Sequence, residues 1–286
     1  MMKQLKLAAV AIAVLTSLGA QATLSEPQDW RGSFAFLAID STNTPTSMVV
    51  DLGFVLDGQS VLDTGFSTNA LLKLASTGHK VQWNFIANTL KIDDVAQPGT
   101  FAYSAPYKLF QDNAQAAETK WAVVAAATQN YPNYYLSTGA PNARQLLLQD
   151  QQEIGQLASI QIGIARANQA VNVAGVSAGT NTAGQTGASS VVGRTNASSG
   201  YLGANQNFGL GGNWSGNLSW NAYTQEGNSF SSNVWAMDDT VDSAIKQDLK
   251  FSYSAGVLTA VPEPTTYALM GAGLLALALL RRRSQS

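Results

Sequence analysis

Cysteine is absent from the 286 residues. That excludes disulfide staples, thiolate zinc sites, iron–sulfur clusters and thiol nucleophiles. A single histidine, His79, leaves little room for imidazole catalysis or for a multi-histidine metal centre. Charge is scarce as well: 16 basic and 18 acidic residues make up 12% of the chain, about half the usual share of a soluble globular protein. The net charge of −2 supplies no basic field for phosphate, so nucleic acid is not an expected partner. What the chain does have is apolar residues, 45% of the total, and at this length they can build a sizeable core.

Both ends are organised differently from the middle. Residues 1–22 read as a signal peptide for Sec-type export, with Lys3 and Lys6 before an apolar stretch over 7–18 and a small-x-small cleavage site at Ala20-Gln21-Ala22. At the other end, Pro262-Glu263-Pro264 is followed by Thr265, Thr266 and an apolar segment over 267–280, then by Arg281, Arg282 and Arg283. Proline fixes φ and lacks an N–H, so this pair is expected to hold the backbone extended and unpaired, in the form a protease cleft accepts. Fourteen residues of helix span about 21 Å at 1.5 Å per residue, short of the roughly 30 Å hydrocarbon core. The expected transmembrane helix over 267–280 is therefore a marginal, temporary anchor in the inner membrane. The arginines should keep the C-terminus cytoplasmic and leave Pro262–Pro264 on the outer side.

This order of proline motif, short apolar helix and basic tail resembles the PEP-CTERM sorting signal of Gram-negative bacteria. The resemblance implies an exosortase as processing partner, release or transfer of the body to the cell surface or beyond it, and an association with exopolysaccharide and biofilm. It covers residues 261–286 and implies nothing about the activity of residues 23–260, which resemble no family.

Those residues read as one exported, acidic, β-rich body, in which 11 basic residues face 17 acidic ones. Period-two alternation predicts strands over 33–39, 48–56, 80–87, 90–95, 101–110 and 121–128, and again over 218–224, 233–237 and 249–253. Within 80–87, Val81, Trp83 and Phe85 should face one way and Gln82, Asn84 and Ile86 the other. The fold class expected is mainly β, an antiparallel β-sandwich with two interruptions. The first is an amphipathic helix over 141–170, where apolar residues recur every three or four positions. The second is a low-complexity loop over 171–213, in which 31 of 43 residues are Gly, Ala, Ser, Thr or Asn.

Candidate chemistry in the body is thin. Asp63-Thr64-Gly65 resembles the aspartic-protease signature, but such an enzyme brings two carboxylates together and no second Asp-Thr-Gly or Asp-Ser-Gly occurs. A strand-end turn explains the same letters. His79 reads as a solvated loop residue. Asp93-Asp94 and Asp238-Asp239 with Asp242 offer oxygen ligands for calcium without the spacing of a known calcium loop, and no other cofactor or metal is expected. Trp214, Trp220, Tyr223 and Trp235 lie among Asn and Gln residues, the mixture on which sugar rings stack and hydrogen-bond. Core packing competes for these aromatics. The expectation is a non-catalytic surface or matrix protein, with a carbohydrate-binding module as alternative and an extracellular hydrolase behind it.

Overall fold

The structure is a computed structural model that describes residues 31–40, 44–66, 69–127, 134–139, 177–179, 185–193, 224–225, 231–238 and 245–262. Strand β1 (Arg31–Asp40) carries the near-continuous apolar run Phe34-Ala35-Phe36-Leu37-Ala38-Ile39, and all six are buried. Such a run marks a strand covered on both faces. It pairs antiparallel with β2 (Thr46–Asp57), and the register slips between Ser33 and Ala35. Gly53, with φ of +76°, lies at the slip and donates its N–H to Asp51 Oδ1 at 2.8 Å.

Asp57 ends β2 and caps helix α1 (Gly58–Thr64), accepting from Gln59 N and Ser60 N. The helix stops at Gly65, whose φ of +81° suits glycine. Helix α2 (Ala70–Ser76) buries Leu71, Leu72, Leu74 and Ala75. A meander follows, β3 (Val81–Asn84), β4 (Thr89–Ile92) and β5 (Val95–Ala96), and then β6 (Thr100–Ala102) and helix α3 (Ser104–Gln111). Asn88, in the β3–β4 turn, accepts from Tyr103 N and Ser104 N at 2.7 Å and so caps α3 from outside its own segment. The remaining strands are β7 (Lys120–Ala127), β8 (Tyr134–Gly139), β9 (Ser177–Gly179), β10 (Gln185–Val192), β11 (Thr224–Gln225), β12 (Ser231–Asp238), β13 (Ile245–Ser254) and β14 (Val257–Pro262).

Hydrogen bonding joins these strands in the order β5-β4-β3-β14-β13-β12-β8-β7-β1-β2-β10-β6, with β11 beside β7 and β9 beside β10. All pairs are antiparallel except β6 with β10. The sheet folds back so that strands far apart in this order meet face to face. Trp83 of β3 donates its indole N–H to the Leu52 carbonyl of β2 at 2.8 Å, and the Phe36 ring of β1 packs at a tilt against Tyr253 of β13, 4.7 Å away, and against Phe85, 5.1 Å away. The body is mainly β and antiparallel, and its two facing layers belong to one continuous ladder.

Several expectations are corrected. Residues 101–110 are not one strand: only 100–102 are, and 104–111 are α3. Its buried Tyr107 and Phe110 follow Tyr103 at helical spacing, and Pro106 sits in the first turn, where its missing N–H has no helical partner to lose. Asp63 and Thr64 end a helix, where a strand-end turn was expected. Within 171–213, residues 177–179 and 185–192 are strands. Small side chains suit β10 because α3 lies across it, and Ser190 donates its buried hydroxyl to Pro106 O at 2.7 Å. The expected signal peptide over 1–22, helix over 141–170 and transmembrane helix over 267–280 lie outside the described residues. Among the described residues, no helix is long and apolar enough to cross a membrane.

Candidate functional site

The sorting motif begins inside the sheet. Alternation over β13 and β14 is interrupted by the two-residue turn Ala255-Gly256, with φ of +46° and +78°, the backbone that closes tight hairpins. Gly256 is required there for a second reason, since a Cβ on it would lie 2.7 Å from the Tyr107 ring of α3. Strand β14 then runs between β13 and β3, burying Leu258 and Ala260 in the core. Its pairing with β3 ends at Ala260↔Val81, but its pairing with β13 continues through Lys250↔Val261 and Leu249↔Pro262.

Pro262 was expected to be unpaired. It is the last residue of a strand, placed beyond the end of β3, where the missing N–H interrupts no second ladder. Glu263, Pro264, Arg281, Arg282 and Arg283 lie outside the described residues, as do Ala20 and Ala22. The role of Val261 and Pro262 in the sheet was missed from the sequence, although the hairpin signal was present in Phe251-Ser-Tyr-Ser-Ala-Gly-Val-Leu-Thr-Ala260.

Beside this junction, the turn between β4 and β5 is built from Asp93 and Asp94, with φ of +48° and +66°, a conformation Asp tolerates better than most residues. Asp93 Oδ2 lies 2.6 Å from His79 Nδ1, and its Oδ1 accepts from Lys80 N at 2.9 Å. Asp94 Oδ1 accepts from Lys80 Nζ at 2.7 Å, and this hydrogen bond, with the lysine's charge, holds Asp94 below the usual carboxylate value. His79 is thus no solvated loop residue. Its side chain is 19% exposed and clips the end of α2 to the β4–β5 turn. Of the second acidic group, Asp238 ends β12, and Asp239 and Asp242 lie outside the described residues.

Asp63 is exposed and accepts from Gln59 Nε2 at 3.3 Å within its own helix. The strongly perturbed carboxylate is elsewhere. Asp51, 4% exposed at the β1–β2 slip, is pushed up to about 7, chiefly by burial, against the pull of its hydrogen bonds from Gly53 and Ser33. Tyr103 is wholly buried and, among the described residues, its hydroxyl has no hydrogen-bond partner. Burial first, and the nearby Asp51 charge second, raise it well above the usual phenol value. Both groups are buried, so the pair reads as a polar part of the core. Of the sugar-stacking candidates, Trp214, Trp220 and Tyr223 lie outside the described residues. Trp235 occupies β12 between buried Val234 and Ala236, paired with Ser137 and Lys246.

Comparison with curated proteins and with solved structures finds no match to the chain. Residues 260–283 match the PEP-CTERM protein-sorting motif, so the chain carries a PEP-CTERM sorting signal, which supports an exported protein sorted by an exosortase.

Proposed function

We infer that the protein is a cell-surface or extracellular-matrix component that performs no reaction of its own and works in association with exopolysaccharide. The match over 260–283 carries the address. The non-catalytic reading is supported by the setting of Asp63, an exposed carboxylate that accepts from Gln59 of its own helix. A catalytic pair would instead need to be held together around a reacting atom. Sec-type export, transient anchoring through 267–280 and release from the inner membrane complete the route, with no cofactor; calcium at the acidic clusters is the reserve case.

Replacing Pro262, Glu263 and Pro264 with alanine in an exosortase-positive host should leave a full-length, membrane-retained species. Normal release would overturn the reading. A carbohydrate-binding role is favoured by one specific feature, the density of Trp and amide residues over 213–235. It expects sugar-dependent quenching of tryptophan fluorescence that Trp214→Ala or Trp220→Ala removes.

A further inference from the structure

The point at which β14 ends fixes how far the body can stand from its anchor. Pro262 is paired with Leu249, and the apolar segment opens at Tyr267, five Cα steps later. Five steps reach no more than about 18 Å even when fully extended. The headgroup layer takes about 5–8 Å of that reach, which leaves roughly 10 Å of chain between the sheet and the lipid surface. Two prolines in the tether restrict its folding back.

Antiparallel pairing identifies which rim of the sheet is brought this close. The alternating strand directions put at the same end of the sheet as Pro262 the start of β13, the end of β12, the start of β8, the end of β7, the start of β1 and the end of β2, and β13 runs on past Leu249 to Ile245 there. On the other side of β14 they put there the start of β3 and the end of β4 with the Asp93-Asp94 turn. Arg31 with Asp57, His79 with Asp93 and Lys80 with Asp94 all lie on this rim. Arg31 beside Asp57 and Lys80 beside Asp94 offset part of the repulsion that an acidic body meets at an anionic lipid surface.

We propose that, while the sorting signal is attached, the body rests with this rim against the headgroups of the outer surface of the membrane, and that processing exposes the rim. The proposal depends on reading 261–286 as a membrane sorting signal.

The absence of cysteine makes the test clean, because one introduced thiol gives one label. Val95, 60% exposed, lies in the row Ala260–Val81–Ile92–Val95 on the rim. Ala87 is exposed in the β3–β4 turn at the opposite end, about 10 Å or more farther from Pro262 along the strands. Full-length Val95→Cys, Ala96→Cys and Ala87→Cys proteins would carry a fluorophore and be reconstituted in vesicles of phosphatidylethanolamine and phosphatidylglycerol with a headgroup-attached quencher. Labels at 95 and 96 should be quenched several-fold more than the label at 87, and chains ending at Pro264 should show no difference between positions. Equal quenching at the three positions in vesicle-bound protein overturns the proposal and leaves the sorting signal intact. Failure of the full chain to bind vesicles overturns the membrane reading itself. Matching urea midpoints for the three variants would show that each retains the fold.

Discussion

The two stretches of the sheet solve burial differently. Strands β3, β4, β13 and β14 alternate: Val81, Trp83, Leu90, Phe251, Tyr253, Leu258 and Ala260 face the core, while Gln82, Lys91, Ser252 and Thr259 are only half-buried. Strands β1 and β7 do not alternate. Phe34, Phe36, Trp121 and Val123 face the core, and Ala35, Leu37, Ile39, Ala122 and Val124 on the opposite face are equally buried. The first stretch has one wet face, on which polar substitutions should be tolerated. The second has none over residues 32–40 and 121–125, so each of those residues is under packing constraint.

The sharpest way to break this contrast is to place an amide on the covered outer face of β1. Leu37→Asn forfeits a buried leucine and strands an amide, together about 4–6 kcal/mol, enough to consume much of a domain's stability. Urea unfolding should show a large drop in midpoint or no folded baseline, and a drop within experimental error would mean that this face is not closed.

Next in size is the titration of Asp51 of β2, paired with Ala35 beside the covered stretch. Its folded value is raised to about 7 from 3.8, so the native state holds its proton more tightly than the unfolded chain does. The contribution is fully present below about pH 4 and is lost as pH rises through 7, up to roughly 4 kcal/mol in all. The urea midpoint should therefore fall between pH 4.5 and 8, and Asp51→Asn should remove most of that slope. A slope unchanged in the variant would assign it to other groups.

A smaller effect shows where the alternating stretch is itself constrained. Gly256→Ala meets both a positive φ and the Tyr107 ring, and should lose about 2–3 kcal/mol. In a Tyr107→Leu background the loss should shrink to the backbone part, and a double-mutant cycle measures the difference. The smallest effect is expected for Gln82→Thr on the wet face of β3, within about 0.5 kcal/mol. A loss comparable to that of Leu37→Asn would erase the distinction between the two stretches.

The parts of this fold legible in the sequence are those whose signal is local. The alternation of Val81, Trp83 and Phe85 against Gln82, Asn84 and Ile86 holds residue for residue, with Ile86 exposed, and the run Phe34–Ile39 betrays β1. Helix α1 escaped because seven residues carry too little periodicity, and Asp57-Gly58 reads equally well as a turn or a cap. Helix α3 was mistaken for strand because Phe101, Tyr103 and Tyr107 fall on alternate positions that also satisfy part of a helical pattern. Strand β10 was hidden by its small residues, among which Ser190 gains its place from α3 through its bond to Pro106. The sorting signal was legible as a linear arrangement of proline, apolar and basic residues. Its union with the sheet was not, because Ala260 finds Val81 across almost the whole described body.

That union has a consequence for biogenesis. Strand β14 closes a gap between β13, synthesised just before it, and β3, synthesised long before it, and among the described residues β3, β4 and β5 join the backbone ladder of the sheet only through it. A polypeptide stalled short of Val257 would have no bridge for its early meander, whatever the quality of its remaining packing. Completion of the sheet therefore waits for the stretch immediately ahead of the address label, and a finished sheet certifies that synthesis has reached that label.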